Sequence, residues 1–268
     1  MDVAAPTLEN NAELLRRNDQ NSVATLTLNR PTARNALSRD LMAELQGALD
    51  AIAEDESVGA VVIGGAGPAF CAGHDLKEIR SNDRREIFAS LFAQCSRLMT
   101  SIVRLPKPVI ARVHGIATAA GCQLVASCDL AGASTEAYFA TPGVNIGLFC
   151  STPMVAVSRA VGRKQTMEML LTGTPIDAER AKDLGLINRV VAPKALHTET
   201  HQLAASIASK SPLTVKIGKA AFYRQLEMNL DDAYAYTSEV MAENMMALDA
   251  REGIDAFMQK REPSWKGK

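Results

Sequence analysis

The sequence predicts an α/β fold in which a mostly parallel sheet is flanked by helices and followed by a helical C-terminal region. Apolar and threonine residues alternate over 23–28, which is typical of a strand, and the turn sequence Asn29-Arg30-Pro31 ends it. Ser38 then caps a helix whose apolar residues recur on one face, and a short apolar run over 58–63 forms a buried strand. Strands that alternate with helices in this way favour a parallel sheet.

The alternation continues through the first two thirds of the chain. We expect a helix over 87–103, a strand over 109–113 and a helix over 120–127. After Thr152 helical patterns dominate apart from one strand over 186–191, and from Lys194 onward only helices are predicted. The predicted organisation is a mobile N-terminal arm over 1–20, a core domain over 21–193 and a helical oligomerisation region over 194–268.

Composition excludes several classes of function. The 268 residues carry 29 basic and 30 acidic side chains, a net charge of −1, so no global field attracts nucleic acid or an anionic membrane. The five cysteines are scattered without a CxxC pair, which favours reduced thiols over a disulfide framework or a zinc site. With no signal-peptide pattern before residue 21, we expect a cytoplasmic protein that binds neither nucleic acid nor membrane.

Two glycine-bearing loops follow predicted strands and precede helices. The first runs over 67–76 and contains Phe70-Cys71-Ala72-Gly73-His74; the second runs over 114–123 and contains Thr118-Ala119-Ala120-Gly121. Small residues let a ligand approach the backbone, and a helix N-terminus leaves N–H groups unpaired. A carbonyl oxygen between two such groups is stabilised as it gains negative charge. Small residues at such turns also serve close packing, so either loop alone is weak evidence.

Several separated motifs together resemble the crotonase, or enoyl-CoA hydratase/isomerase, superfamily. They are Asn29-Arg30-Pro31 with Asn35-Ala36-Leu37, Phe70-Cys71-Ala72-Gly73-His74-Asp75-Leu76, Lys107-Pro108-Val109-Ile110-Ala111 with Gly115-Ile116-Ala117, and Ala256-Phe257-Met258-Gln259-Lys260-Arg261. The resemblance covers nearly everything after Val23. It implies a crotonase (ClpP-like) spiral of ββα units with a helical C-terminal trimerisation region, in a homotrimer or homohexamer.

The resemblance also implies roles for individual residues. Ala72 and Ala120 match the two oxyanion positions, whose backbone N–H groups polarise a thioester carbonyl. Coenzyme A is expected only as part of an acyl-CoA substrate, and no other cofactor is expected. It would contact the following residues: Arg34, Ala36, Ala72, His74, Asp75, Leu76, Phe257 and Lys260. The last two would reach a coenzyme A bound at a neighbouring site.

The sequence departs from the hydratase pattern at both acid–base positions. Family hydratases use two glutamates to position water and move its proton, and here Gln123 and Gly143 stand in those places. His74 is a candidate catalytic residue because histidine titrates near neutral pH, and the small decarboxylases of the superfamily have a histidine after this glycine. Cys150 is a candidate nucleophile or a buried thiol, and Gln123, like Thr118, is a candidate to hydrogen-bond either substrate or backbone groups.

Three hypotheses follow. The first is a lyase of fatty acid metabolism that acts on acyl-CoA through enolate stabilisation, with a His74-dependent decarboxylase as an alternative. The second is an acyl-CoA-binding pseudoenzyme. The third, RNA binding, is disfavoured because the helix over 38–56 carries Arg39 as its single basic residue among six acids. His197 and His201 lie four residues apart but lack a third ligand, so no metal site is predicted.

Overall fold

The computed structural model describes residues 13–268. Its strands are β1 (Leu15–Gln20), β2 (Val23–Leu28), β3 (Ala60–Gly65), β4 (Ala69–Cys71), β5 (Val109–Val113), β6 (Ile116–Thr118), β7 (Leu130–Ser134), β8 (Tyr138–Ala140), β9 (Ile176–Asp177) and β10 (Arg189–Val191). Its helices are α1 (Arg39–Glu54), α2 (Leu76–Arg80), α3 (Arg85–Arg104), α4 (Ala120–Ser127), α5 (Pro153–Ala160), α6 (Arg163–Thr172), α7 (Ala178–Asp183), α8 (Leu196–Ala208), α9 (Pro212–Gln225), α10 (Leu230–Met246) and α11 (Leu248–Gln259).

The strands form two sheets that the chain visits in turn. The larger sheet has the order β1-β2-β3-β5-β7-β10, and its neighbours are parallel except for the antiparallel pair β1–β2. The smaller sheet has the order β4-β6-β8-β9. A strand of the larger sheet, a strand of the smaller sheet and a helical segment therefore recur in sequence. This arrangement confirms the predicted α/β spiral of ββα units.

The main core lies on one face of the larger sheet. Ser38 begins α1 by accepting a hydrogen bond from the Leu41 N–H, and the apolar face of α1 is fully buried through Leu45, Leu49 and Ile52. The buried face of α3 packs against α1 and α4. Truncating one of these leucines to alanine would cost about 2 to 5 kcal/mol. This packing fixes the ends of the strands that carry the two glycine loops.

A smaller apolar cluster lies on the opposite face of the larger sheet. It contains Val23, Ala60, Val62, Ile110 and Ala204, so α8 covers this face. The next helix, α9, is fixed by a buried ion pair between Lys219 Nζ and Asp129 Oδ2 at 2.6 Å. The C-terminal helices are therefore attached to the core by both apolar and ionic contacts.

The structure corrects the predicted N-terminal arm. Residues 15–20, which the sequence placed in that arm, form β1 and pair with all six residues of β2. Residues 1–12 of the predicted arm lie outside the described residues. The short strands β4, β6, β8 and β9 were not predicted individually, because runs of two or three residues carry no periodicity. Within residues 13–268, no helix combines the length and apolar character needed to cross a bilayer.

Candidate active site

The two glycine loops meet at the carboxyl ends of β4 and β6. Gly73 has φ +94°, and a Cβ there would lie 3.0 Å from both the Ala119 Cβ and the Thr118 carbonyl oxygen. Glycine is therefore required by both the backbone angle and the space. Thr118 Oγ1 donates a hydrogen bond of 3.1 Å to the Ala72 carbonyl, which ties the two loops together. Thr118 thus has a backbone partner in this structure.

Ala120 begins α4, so its N–H has no acceptor within the helix. The preceding residue, Ala119, has φ +50° and ψ −117°, a conformation that a residue with a Cβ rarely adopts. Such strain costs about 1 to 3 kcal/mol and persists when the surroundings impose it. Ala119 donates its own N–H to the Ala140 carbonyl at 2.9 Å, which holds the turn that exposes Ala120.

On the first loop, the predicted donor does not have a free N–H group. The Ala72 N–H donates to the Arg34 carbonyl at 3.0 Å, and the Asp75 N–H donates to the Leu37 carbonyl at 3.3 Å. The Gly73 N–H bonds the Cys71 sulfur. Within residues 13–268, the His74 N–H has no backbone acceptor, and unlike the Gly73 N–H it does not face a sulfur. The hydrogen-bond pattern thus contradicts Ala72 as a donor, because its N–H is used to hold Arg34.

The His74 imidazole lies in a largely apolar environment. Its ring packs edge-on against Phe92 of α3, with ring centroids 5.5 Å apart. Both ring nitrogens are shielded from solvent and have no hydrogen-bond partner among the described residues. Burial lowers the pKa of His74, and the nearby Leu37 carbonyl only partly opposes this effect. The ring is therefore neutral near pH 7.

Gln123 and its neighbours supply no carboxylate to the site. Gln123 is 4% exposed, and its Oε1 lies 3.9 Å from the Cys95 Sγ of α3. A glutamine amide does not titrate in the range of acid–base catalysis. Burial raises the pKa of the Cys95 thiol to about 12, so the thiol is protonated. Gln123 can orient a ligand but cannot move a proton.

The space beside Gly143 is occupied. A Cβ at Gly143 would lie 2.9 Å from the Cys150 Sγ and 2.8 Å from the Leu148 carbonyl oxygen. The Gly143 N–H bonds the same Cys150 sulfur, while burial raises the pKa of this thiol. Cys150 is therefore a protonated, buried group that fills part of the volume a larger side chain at 143 would need. This environment does not activate it as a nucleophile.

The residues expected to contact coenzyme A divide into two sets. Ala36 is buried beside the first loop, whereas Arg34 and Leu76 are exposed. Asp75 caps α2 and forms an ion pair with Arg30 at 2.8 Å, so its carboxylate already has a structural role. In the second set, Phe257 lies in α11, which packs on α9 and α10, and Lys260 is the C-cap residue that follows this helix. Phe257 is 86% exposed.

Sequence reasoning missed the contribution of α3. Phe92 and Cys95 lie three residues apart on this helix and face His74 and Gln123 respectively. Their positions in an apolar helical stripe predicted burial, not proximity to the loops.

The structure also shows no group of three or more potential metal ligands within residues 13–268. A cavity of about 440 Å³ lies elsewhere, beside Lys107 and Trp265, and none of the loop residues lines it.

A two-sheet spiral of ββα units defines a fold of the crotonase class. The family model for enoyl-CoA hydratase/isomerase matches residues 18–268, and the chain belongs to this family. The family acts on acyl-CoA substrates and commonly forms oligomers.

Similar proteins cover nearly the whole chain. Mitochondrial enoyl-CoA hydratase domain-containing protein 3 of Mus musculus is 46% identical over 257 residues, which are 96% of this chain and 86% of the mouse protein. The crystal structure of an enoyl-CoA hydratase from Mycobacterium smegmatis has a TM-score of 0.92 at 57% identity, covering 94% of this chain and 99% of that chain. The crystal structure of human enoyl-CoA hydratase domain-containing protein 3 has a TM-score of 0.92 at 46% identity. It covers 94% of this chain and 100% of that chain.

Proposed function

We propose that the protein binds an acyl-CoA thioester and stabilises its enolate with the backbone N–H groups of His74 and Ala120. The observation that carries this proposal is that both groups lack a backbone acceptor within residues 13–268, while their loops touch at Gly73 and Ala119. A thioester oxygen between these two N–H groups would accept two hydrogen bonds as negative charge develops. Coenzyme A enters only as part of the substrate.

Direct hydration of an enoyl thioester is disfavoured by the surroundings of the site. Water addition needs groups that gain and lose a proton near neutral pH. Gln123 has no titratable group, Gly143 has no side chain, and the Cys95 and Cys150 thiols are protonated. The expected chemistry is therefore a lyase reaction in which carbonyl polarisation is the main contribution of the protein.

A second candidate function is decarboxylation of a carboxyacyl-CoA, and the His74 ring favours it. A neutral imidazole with no protein partner for either nitrogen could donate a hydrogen bond to a substrate group beside the thioester. Loss of CO₂ leaves the electron pair of the broken C–C bond on the α-carbon, and the same oxyanion hole stabilises the resulting enolate. A proton from water then completes the product.

The main proposal can be tested by removing the Ala120 N–H. Proline carries no N–H and its fixed φ fits the first position of a helix, so Ala120→Pro removes one donor, at the added cost that Ala119 must then precede a proline. We would measure the ultraviolet absorbance of a bound unsaturated acyl-CoA, which shifts to longer wavelength when its carbonyl is polarised. The wild-type protein should show this shift, and Ala120→Pro should lose most of it.

The matched control is Arg163→Pro, which makes the same change at the exposed first position of α6. Circular dichroism and thermal melting would confirm that both proline variants fold. A shift unchanged in a folded Ala120→Pro protein would contradict the proposed oxyanion hole. His74→Ala, which keeps the N–H, separates the two functions: it should preserve the absorbance shift and abolish only a decarboxylation that needs the ring.

We also propose that the protein is a homotrimer, or a homohexamer of two trimers. No residue of α10 is fully buried, and Tyr234, Met246 and Phe257 are between 68% and 86% exposed. Such an apolar surface on the C-terminal helices needs a partner. Sedimentation equilibrium should give three or six chains, and a monomer at micromolar concentration would contradict the assignment.

The cytoplasmic location that the sequence predicts stays a prediction, since the mouse and human relatives are named mitochondrial.

A further inference from the structure

The face of the larger sheet that α8 covers ends in a row of basic residues. Strand register places Arg16 opposite Thr27, Thr27 opposite Gly64, and Gly64 beside Arg112 of the central strand β5. The same row continues through Gly132 to Arg189. Because neighbours in register point to the same face of a sheet, three arginines and two glycines line one edge of this face.

Arg112 is unusual among the arginines of this row. Its side chain is half-buried, yet within residues 13–268 it forms no ion pair and no side-chain hydrogen bond, and burial lowers its pKa. A buried cation without a counter-charge is costly, so such a group needs an explanation. A Cβ at Gly64 would lie 2.9 Å from Arg112 Nη2 and 3.2 Å from Nε. The guanidinium thus lies over the Gly64 backbone.

The first turns of α8 bring two more nitrogen-bearing side chains to this edge. The His197 and His201 rings stack with centroids 6.3 Å apart, and His201 Nε2 is shielded from solvent without a partner among the described residues. Burial, then the positive charge of Arg112, lowers the pKa of His197. The facing titratable groups are Arg16, Arg112 and Arg189 on the sheet and His197, Glu199 and His201 on α8. Of these groups, Glu199 lies with Arg189 in one small pocket, and His197 lies near Arg112.

We propose that Arg112, His197 and His201, here called the Arg112 cluster, bind an oxyanion, either the phosphate or the carboxylate of a small molecule. A guanidinium offers a planar fork of donors that matches two oxygens of such a group. His201 Nε2 supplies a further donor when the ring is in that tautomer. Gly64 and Gly132 flank Arg112, so the neighbouring strands place no side chain beside the guanidinium.

The experiment is an NMR titration of the histidine ring protons. The chain has four histidines, so the Hε1 signals can be assigned from single His→Gln variants. Inorganic phosphate, succinate and sodium chloride would be added at equal ionic strength. Phosphate or succinate should shift the His197 and His201 signals in a saturable manner, while His114 should not move. The stronger of the two ligands identifies the oxyanion.

Two variants locate the site. Arg112→Met removes the fork and should weaken the apparent affinity at least about tenfold, whereas Arg112→Lys keeps the charge and should give an intermediate loss. Arg104→Met, which changes an exposed arginine at the end of α3, is the matched control and should bind as the wild type does. If Arg112→Met does not fold, the Lys variant still decides the question.

Three results of the ligand titration would overturn the proposal. They are equal shifts with sodium chloride, shifts unchanged in both Arg112 variants, and no movement of His197 or His201 at millimolar ligand. Shifts that appear on raising the protein concentration alone would also overturn it, because an acidic side chain of a second copy would then occupy the cluster. None of these outcomes depends on the acyl-CoA site.

Discussion

The packing around Gly143 makes a quantitative prediction. Gly143→Ala places a Cβ 2.9 Å from the Cys150 Sγ and 2.8 Å from the Leu148 carbonyl oxygen, distances that real Cβ atoms do not show. Overpacking of this kind costs about 1 to 3 kcal/mol. For a chain of this size each kcal/mol lowers the melting temperature by about 2 to 4 °C, so the expected loss is about 2 to 12 °C. Scanning calorimetry would measure it.

The matched control is Gly47→Ala. Gly47 lies on the exposed face of α1, and a Cβ there would meet no atom within 4 Å. Because alanine is the better helix former by about 1 kcal/mol, this variant should melt at the same or a higher temperature. A Gly143→Ala protein that melts within about 1 °C of the wild type would show that the loop yields freely, and would refute the steric reasoning.

Cys150→Ala should relieve part of the clash. It removes the sulfur but leaves the Leu148 carbonyl, so a double-mutant cycle with Gly143→Ala should give a coupling above about 0.5 kcal/mol. The clash with the Cys150 sulfur also bears on function. The double variant Gln123→Glu, Gly143→Glu should fold poorly. Hydration of an enoyl-CoA should be gained only when Cys150→Ala is added to it. A well-folded, active double variant with Cys150 intact would contradict this.

Other predictions concern stability. Lys219→Met leaves the buried Asp129 carboxylate without its cation, and we expect a loss of about 3 to 5 kcal/mol by urea unfolding; the exposed-site variant Lys182→Met should lose less than about 0.5 kcal/mol. Burial lowers the pKa of His74 and His197 in the folded chain. Below pH 6.5 the unfolded chain therefore binds protons that the folded chain does not. Because this favours the unfolded state, the free energy of unfolding should fall from pH 7 to pH 5. His74→Leu should reduce that slope, and an unchanged slope would refute the assignment. Ala119→Gly should raise the melting temperature by about 2 to 4 °C by relieving its positive φ, and a lower temperature would count against strain there.

The helices and long strands could be predicted because their patterns are periodic. The helix over 120–127 matches α4 in both bounds, and the Ser38 cap begins α1 as expected. The strands of the smaller sheet are two or three residues long, so their assignment depends on pairing between distant segments. β1 was missed for a related reason: five of its six residues are exposed, so β1 lacks the apolar alternation of a strand.

The sequence placed both glycine loops between strands and helices, as the structure has them, but could not show which N–H groups lack an acceptor. The motif Ala72-Gly73-His74 identified the loop, whereas the choice of N–H depends on which carbonyls lie opposite. Arg34, in a left-handed conformation, directs its carbonyl at Ala72. No local pattern in residues 72–74 carries that information. Likewise the sequence shows that Gly143 lacks a side chain, but only the fold shows Cys150 in the adjacent space.

The two departures from the hydratase pattern that the family resemblance implies are physically different. Gln123 has the volume of a glutamate, so restoring a carboxylate there changes one terminal group and no packing. Gly143 lies against a backbone carbonyl as well as a thiol, so a carboxylate there requires the loop itself to move. The N–H donors, by contrast, depend on the positive φ of Gly73 and Ala119 and on the first turn of α4. Under the proposed function, we therefore expect carbonyl polarisation to be set by the backbone and to survive most side-chain changes. Proton transfer would be excluded at position 123 by chemistry and at position 143 by shape.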